Sequence, residues 1–471
     1  MSAVPTADTI AAIATPLGVG GIGIVRLSGP EANSIALRLC GRSQPFKERY
    51  AHFCQFFDHA GSCIDEGLVI HFQAPRSFTG EEVVELQGHG NTVVLRQLLD
   101  RIVELGGRLA EPGEFSKRAF LNDRIDLAQA EAIADFVASG SNRAARAAMA
   151  SLKGVFSKKI EALHTSLLTL RMYIEAAIDF PEEEIDFLSD GKVQVDLQGC
   201  IDRVDQTLQE AVKGQILNDG LHVVLVGPPN AGKSSLLNAL SRTDRSIVTD
   251  IPGTTRDIVT DHINLDGLIV KVSDTAGLRD SDDLVEREGI QRSKQQLAHA
   301  DLVIMIFDCT QTPADIARWW SSTTDCDWPT CPVLGILNKS DLLAAGAEDI
   351  GAGAEMVEQQ VLEGHLFDGQ VMCSIKESNG LVEVERSIKA LAGIGSSEDF
   401  SEFSARKRHI IALRACLSHL TVAKTQLLDS QAGELVAEEL RVAGDCLGEI
   451  TGHMSPDDLL GQIFSSFCVG K

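Results

Sequence analysis

The sequence predicts a multidomain chain. It opens with an α+β domain, continues into an α-helical domain built from two segments, and carries an α/β P-loop nucleotide-binding domain inserted between them. Three observations predict this. Short β-rich runs alternate with turns over the first 120 or so residues. Apolar residues recur at helical spacing on both sides of a central stretch. That central stretch alternates strand-like and helix-like patterns, and near its start a glycine-rich loop follows an apolar run. The expected domains are 1–122, 123–218, 219–393 and 394–471.

In chain order, Ile22–Leu27, Leu68–Phe72 and Val83–Leu86 read as strands of the first domain. From Asp126 the pattern turns helical. Leu163, Leu167, Leu170, Ile174 and Ile178 form one apolar stripe, which Pro181 ends. After the central unit, Gly393–Ser397 reads as a linker, and Leu440, Ala443, Leu447 and Ile450 restore helical spacing. Helical sequence on both flanks argues that the flanks pack as one domain from which the central unit projects. Residues 343–370, rich in Ala, Gly and Glu, read as a peripheral loop or helix.

The central unit carries the chemistry. Gly227–Ser234 reads G-P-P-N-A-G-K-S directly after Val223–Val226, and the helical stretch Leu236–Leu240 follows. This is a P-loop. Its glycines let the backbone turn N–H groups (Asn230, Ala231, Gly232, Ser235) toward a phosphate, Lys233 reaches the β- and γ-phosphates, and the Ser234 hydroxyl ligates Mg²⁺. Asn338-Lys339-Ser340-Asp341 follows Val333–Leu337. An Asp there accepts from the guanine ring N–H and its exocyclic amine, a donor pair that adenine lacks. Asp274-Thr275-Ala276-Gly277 ends Leu268–Val272, its Asp placed to reach Mg²⁺ through water and the Gly277 N–H to sense the γ-phosphate. Ser374-Ile375-Lys376 follows Val371–Cys373 and backs the base. Three such motifs in this order, each after an apolar run, point to a GTPase. The segment Thr249-Asp250-Ile251-Pro252-Gly253-Thr254-Thr255 takes the place of the first switch, with Thr255 to complete the Mg²⁺ shell. Leu278 stands where Ras-like GTPases carry the Gln that orients water, so water activation comes from elsewhere. Asp280, Asp282, Asp283, Glu286 and Glu288 all follow within reach, and composition does not choose among them.

The chain has 471 residues, 44% of them apolar, enough for about three domains with sizeable cores. The formal net charge of −25 excludes a general nucleic-acid coat protein. Local basic patches remain candidates for RNA contact: Lys117, Arg118 and Arg124; Arg143 and Arg146; Arg406 to His409. Each can equally be a salt-bridge partner. The eleven cysteines lack metal-ligand spacing, so reduced thiols and a cytoplasmic location are expected. No apolar run is long enough for a membrane span, and the start does not read as a secretory signal.

Motifs outside the central unit resemble one family, MnmE (TrmE), the GTPases of tRNA wobble-uridine modification. They are Asp8–Pro16 with Gly20–Arg26, Ser77–Glu81, Glu85–Gly90, Pro112–Ser116, Arg118–Asn122, Asp179–Pro181, Glu183–Phe187, and the terminal Phe467-Cys468-Val469-Gly470-Lys471. The resemblance implies an N-terminal folate-binding and dimerising domain and a Ras-like G domain. It implies a tetrahydrofolate one-carbon cofactor (5-formyl- or methylene-tetrahydrofolate) held by Arg26, Glu85, Arg124 and Lys471. Physically, arginines suit folate carboxylates and Glu85 suits pterin N–H donors. Position 124 is Arg where the family pattern has Lys, which keeps the charge and changes the hydrogen-bond fork. Cys468 becomes a candidate reactive thiol, with a buried small hydrophobe as the plain alternative. The resemblance further implies K⁺ held by Asn230, Thr249, Ile251 and Thr254, with hydrolysis on G-domain dimerisation and Glu286 orienting water, so Glu286, Lys233 and Asn230 are the candidate catalytic residues. It implies a homodimer and an FAD-dependent MnmG/GidA-type partner in a heterotetramer or larger complex. Together they would install an aminomethyl or carboxymethylaminomethyl group on C5 of the wobble uridine of tRNA. A regulatory GTPase switch in ribosome or RNA assembly, without folate chemistry, is the rival.

Overall fold

The computed structural model describes residues 8–16, 18–179, 191–243, 261–274, 296–298, 300–311, 331–342, 367–394, 401–429, 432–452, 457–465, 467 and 470. They form two compact units, one of residues 1–134, 151–201 and 415–471, the other of 135–150 and 202–414.

The chain begins β1 (Ile10–Ile13), β2 (Gly20–Ser28), α1 (Ala32–Leu39), β3 (His52–Phe57), β4 (Cys63–Phe72), β5 (Val83–Gly90), α2 (Thr92–Glu104), β6 (Arg108–Leu109), α3 (Glu114–Leu121) and α4 (Leu127–Ala138). The six strands make one sheet in the order β3-β4-β5-β2-β1-β6, antiparallel except for the β1–β6 pair. Side chains alternate across it. Val25, Leu27, Val84 and Leu86 pack with Ile35, Leu39, Leu95, Leu98 and Ile102 of α1 and α2. The intervening Arg26 and Glu85, which are register partners, therefore share the opposite face. Asn91 caps α2, its Oδ1 accepting from the Val93 N–H at 2.9 Å.

The helical elements follow as α5 (Asn142–Leu152), α6 (Val155–Asp179) and α7 (Lys192–Asp219). The expected stripe holds for Leu163, Leu167, Leu170 and Ile174, which are buried on α6, while its last member, Ile178, is only half-buried. Pro181, expected to end it, lies outside the described residues, and α6 ends at Asp179. Next come β7 (Leu221–Val226), α8 (Lys233–Thr243), β8 (Asp261–Leu265), β9 (Leu268–Asp274), β10 (Leu302–Asp308), β11 (Val333–Asn338), a 3₁₀ turn (Ser340–Leu342), β12 (Gly369–Met372) and α9 (Leu381–Leu391). The chain returns to helix with α10 (Lys407–Asp429), α11 (Gly433–Thr451) and α12 (Asp457–Ser465). In the first unit α11 packs along α6, and its Leu440, Ala443, Leu447 and Ile450 are buried, so segments from both flanks of the nucleotide-binding region do meet.

The second sheet runs β12-β11-β10-β7-β9-β8, parallel except for β8 against β9. Both faces are buried, as a parallel sheet requires. On β10, Leu302, Ile304 and Ile306 face one core while Val303, Met305 and Phe307 face the other. Ile394, expected in a linker, is 1% exposed and belongs to this core with Val384 and Ile388 of α9. The linker reading is thus corrected at that residue, because an apolar side chain beside the last turn of a helix still has sheet to cover.

For two basic-patch candidates the salt-bridge alternative holds, though the arginines face inward and not solvent. Arg118 is 2% exposed. It donates to Asp8 Oδ1 (2.9 Å), Glu81 Oε2 (3.1 Å) and Glu114 Oε1 (3.0 Å), and Arg108 adds a second clamp on Glu114 (2.7 Å). Arg406 is held by Asp135 at 2.6 Å. Their charges are spent inside the protein. Burial pushes the Glu114 carboxyl up, but Arg108, the Glu111 N–H and Arg118 together hold it below the usual carboxylate range. Stability from a depressed carboxyl is present above its unfolded pKa and fades as pH falls through the folded one. Arg118→Met takes the shared cation from Glu81, Asp8 and the buried Glu114, the last two still paired with Arg108, and is expected to cost about 3 kcal/mol at pH 7, the low end for a broken buried ion pair. The gap between wild-type and variant melting temperatures should then shrink at the acid end, as pH falls through the lowered pKa values of Asp8 and Glu114. Thermal melts from pH 3 to 8 check both statements.

Candidate functional site

Every described nucleotide motif lies at the carboxyl edge of the second sheet. Leu225 of β7 is level with Asp274 of β9, Asp308 of β10 with Asn338 of β11, and Leu337 of β11 with Met372 of β12. Strand β7 sits where the strand order reverses, the place where open α/β sheets bind ligands. The P-loop leaves β7 here and runs into α8, whose N-terminus favours an anion.

The loops are tied by one side chain. Asn338 is 4% exposed. Its Nδ2 donates to the Ala231 carbonyl (2.8 Å) and its Oδ1 accepts from the Ile375 N–H (3.2 Å), joining P-loop, base loop and Ser374-Ile375-Lys376. Gly232 has φ 113°, and a β-carbon there would run into the Asn338 amide, so both conformation and space demand glycine. Ser374 Oγ donates to Asp341 Oδ1 (2.7 Å), steering the carboxylate expected to read the base. Lys233 Nζ donates to the Gly227 and Pro228 carbonyls at 2.7 and 3.0 Å, curled over the loop whose phosphate it is expected to reach. Asn230 is exposed at φ 62°, a left-handed conformation that Asn tolerates. Ser234 and Ser235 are exposed in the first turn of α8, which suits Ser234 as a Mg²⁺ ligand; Lys376 is exposed.

Sequence reasoning passed over Asp308. It is 8% exposed, and its Oδ2 meets Lys339 Nζ at 2.5 Å while its Oδ1 accepts from the Thr310 N–H (3.0 Å) and hydroxyl (2.7 Å). A lone carboxylate closing the otherwise apolar run Leu302–Phe307 was the available signal. The readings on Thr249, Asp250, Ile251, Pro252, Gly253, Thr254, Thr255, Thr275, Ala276, Gly277, Leu278 and Glu286 lie outside the described residues, as do Cys468 and Lys471.

In the first unit, Arg26 and Glu85 meet each other. Arg26 Nε and Nη2 donate to Glu85 Oε1 at 3.1 and 2.9 Å, and the guanidinium lies 5.9 Å from the rings of Phe78 and Phe115. A charged fork over two aromatic rings fits a flat, hydrogen-bonding ring system bearing acid groups. Arg124 packs with its stem on Gly80, in the same loop as Phe78. Gly470, at φ 95°, lies against Ile13 and Ala14, and a β-carbon would collide with the Ile13 carbonyl. Ile13 and Ala12 are register partners of Val25 and Arg26, so the tail reaches the strand pair that carries Arg26.

Asn338→Ala leaves the Ile375 N–H and the Ala231 carbonyl without their side-chain partner. Each lost buried hydrogen bond costs about 1–3 kcal/mol, so GDP affinity measured by calorimetry should fall by at least tenfold while the far-ultraviolet spectrum is kept.

Comparison with known proteins completes the picture. Residues 9–124 match the family model for the GTP-binding protein TrmE N-terminus, and residues 127–468 match that for the MnmE helical domain. Proteins described as tRNA modification GTPase MnmE are 50% identical in Marinobacter nauticus (99% of this chain, 100% of that one) and 50% in Ectopseudomonas mendocina (98% and 99%). A GTP-binding protein of Sulfolobus solfataricus solved with GDP matches 50% of this chain and 68% of its own at TM-score 0.30 and 15% identity, too distant to carry an argument. Two domain models and half-identity from end to end leave one assignment: the chain belongs to the MnmE (TrmE) family.

Proposed function

We propose that this protein is a GTP hydrolase that acts in tRNA modification. One observation carries the reading: the P-loop, the base loop and its backing loop converge through Asn338 at the edge of a single sheet, in a chain whose relatives along its whole length are described as tRNA modification GTPases. Lys233 and the α8 N-terminus supply positive charge for the phosphates, Ser234 and Thr255 hold Mg²⁺, and Asp341 selects guanine.

The mechanism needs a substitute for the glutamine that Leu278 replaces. We assign K⁺ to Asn230, Thr249, Ile251 and Thr254, with Glu286 orienting the attacking water. A monovalent cation at that place offsets the negative charge gathering in the transition state, the task of an arginine finger elsewhere. G domains of two subunits meet to complete the site. The N-terminal domain binds a tetrahydrofolate one-carbon carrier at Arg26, Glu85, Arg124 and Lys471; the carrier supplies the carbon for C5 of the wobble uridine. The homodimer works with an FAD-dependent partner, in the cytoplasm. The charged fork of Arg26 and Glu85 over Phe78 and Phe115 supports the folate assignment. Among the described residues no helix is long and apolar enough to cross a membrane.

Two measurements test this. Steady-state GTP turnover is expected to be about tenfold or more faster in KCl than in NaCl at equal ionic strength, a stabilisation of ~1.4 kcal/mol; equal rates reject the cation assignment. Calorimetric titration with 5-formyl-tetrahydrofolate should give heat that Glu85→Ala abolishes with GTP turnover intact. Silence from the wild type rejects the folate reading.

A further inference from the structure

We propose that Asp308 is a positioning residue for guanine selection, acting through Lys339 on Asp341. This rests on the guanine reading of the Asn338–Asp341 loop. Lys339 sits at φ 67°, in the left-handed region that a long side chain rarely adopts. Something outside the loop must hold it there. The backbone on either side is tied by Cys309 and Cys373; among the described residues the Lys339 side chain itself is held by the Asp308 carboxylate, 2.5 Å from Nζ and nearly buried. Asp308 is itself fixed. Its Oδ1 takes both the N–H and the hydroxyl of Thr310, and its Cα lies level with Asn338 across β10 and β11. The next residue's N–H, that of Cys309, donates to the Asn338 carbonyl at 3.0 Å. Burial pushes the Asp308 carboxyl up, but Lys339 and Thr310 hold it below the usual range, so it is ionised at neutral pH.

The consequence falls two residues on. The turn at Lys339 launches the 3₁₀ turn Ser340–Leu342, in which Asp341 takes its place against Ser374 Oγ. Releasing the Lys339 ammonium frees that turn to relax, and Asp341 loses the angle needed to receive two donors from one base edge. A single-donor base suffers less. GDP should therefore be penalised more than IDP, whose hypoxanthine lacks the exocyclic amine.

The test uses the full-length protein and calorimetric affinities for GDP, IDP and ADP. Asp308→Asn keeps size and the Thr310 hydrogen bonds but removes the ion pair. It is expected to weaken GDP binding about tenfold, the scale of one charged hydrogen bond, and to lower the GDP:IDP affinity ratio severalfold, with a melting curve of the nucleotide-free protein close to wild type. Asp308→Glu should restore part of the ratio. In a Lys339→Met background, Asp308→Asn should have no further effect. An unchanged GDP:IDP ratio, or losses that simply add, overturns the proposal while leaving the guanine reading in place. A wild type that binds ADP as tightly as GDP overturns the guanine reading and the proposal with it.

Discussion

The nucleotide site depends on the amide of Asn338. It is the right group for the task because it can donate and accept at once, and because it is buried, where both acts are enforced. Three loops leave three parallel strands within a few ångströms, each with polar backbone that must be satisfied. One amide satisfies the Ala231 carbonyl and the Ile375 N–H together and excludes any side chain at position 232. The loops thereby become one rigid surface before a ligand arrives, which is the arrangement that spends least binding energy on ordering.

The first unit handles its charge in a related way. The protein is strongly acidic, yet among the described residues the bulkiest fully buried side chain is an arginine, surrounded by Asp8, Glu81 and Glu114. Such a knot is poor evidence for net stability compared with an apolar core, but it is strongly directional. It joins the loop carrying Thr79 and Glu81 to α3, and Ser28 of β2 donates to Glu81 at 2.8 Å. The Arg26–Glu85 fork spans β2 and its neighbour β5 and borrows its aromatic floor, Phe78 and Phe115, from that loop and from α3.

What the sequence made legible was local. The P-loop, the Asn338–Asp341 loop and the strands before them could be read because the chemistry and its structural setting lie within a dozen residues. The stripe on α6 was legible because helical spacing puts its apolar residues on one face, which α11 then covers. What escaped reading was non-local. Arg118 looks like a surface cation until Asp8 and Glu81 are seen around it, and nothing in the neighbouring residues announces them. Asp308 and Lys339 are 31 residues apart, so their pairing depends on strand register rather than on any motif. Ile394 sits among glycines, and only the uncovered end of the sheet explains its burial.

The seat of Gly470 against Ile13 has a bearing on biosynthesis. The first strand leaves the ribosome long before the segment that closes over it. At about 5–20 residues per second, that interval is roughly 20–90 s. During it the nascent N-terminal domain leaves bare the surface that Phe464, Phe467 and Gly470 later cover, at Phe120, Gly113 and Ile13, while the nucleotide-binding domain has time to fold on its own. Completion of the first unit is therefore a late, long-range closure, of the kind that is intrinsically slow and exposed to chaperones.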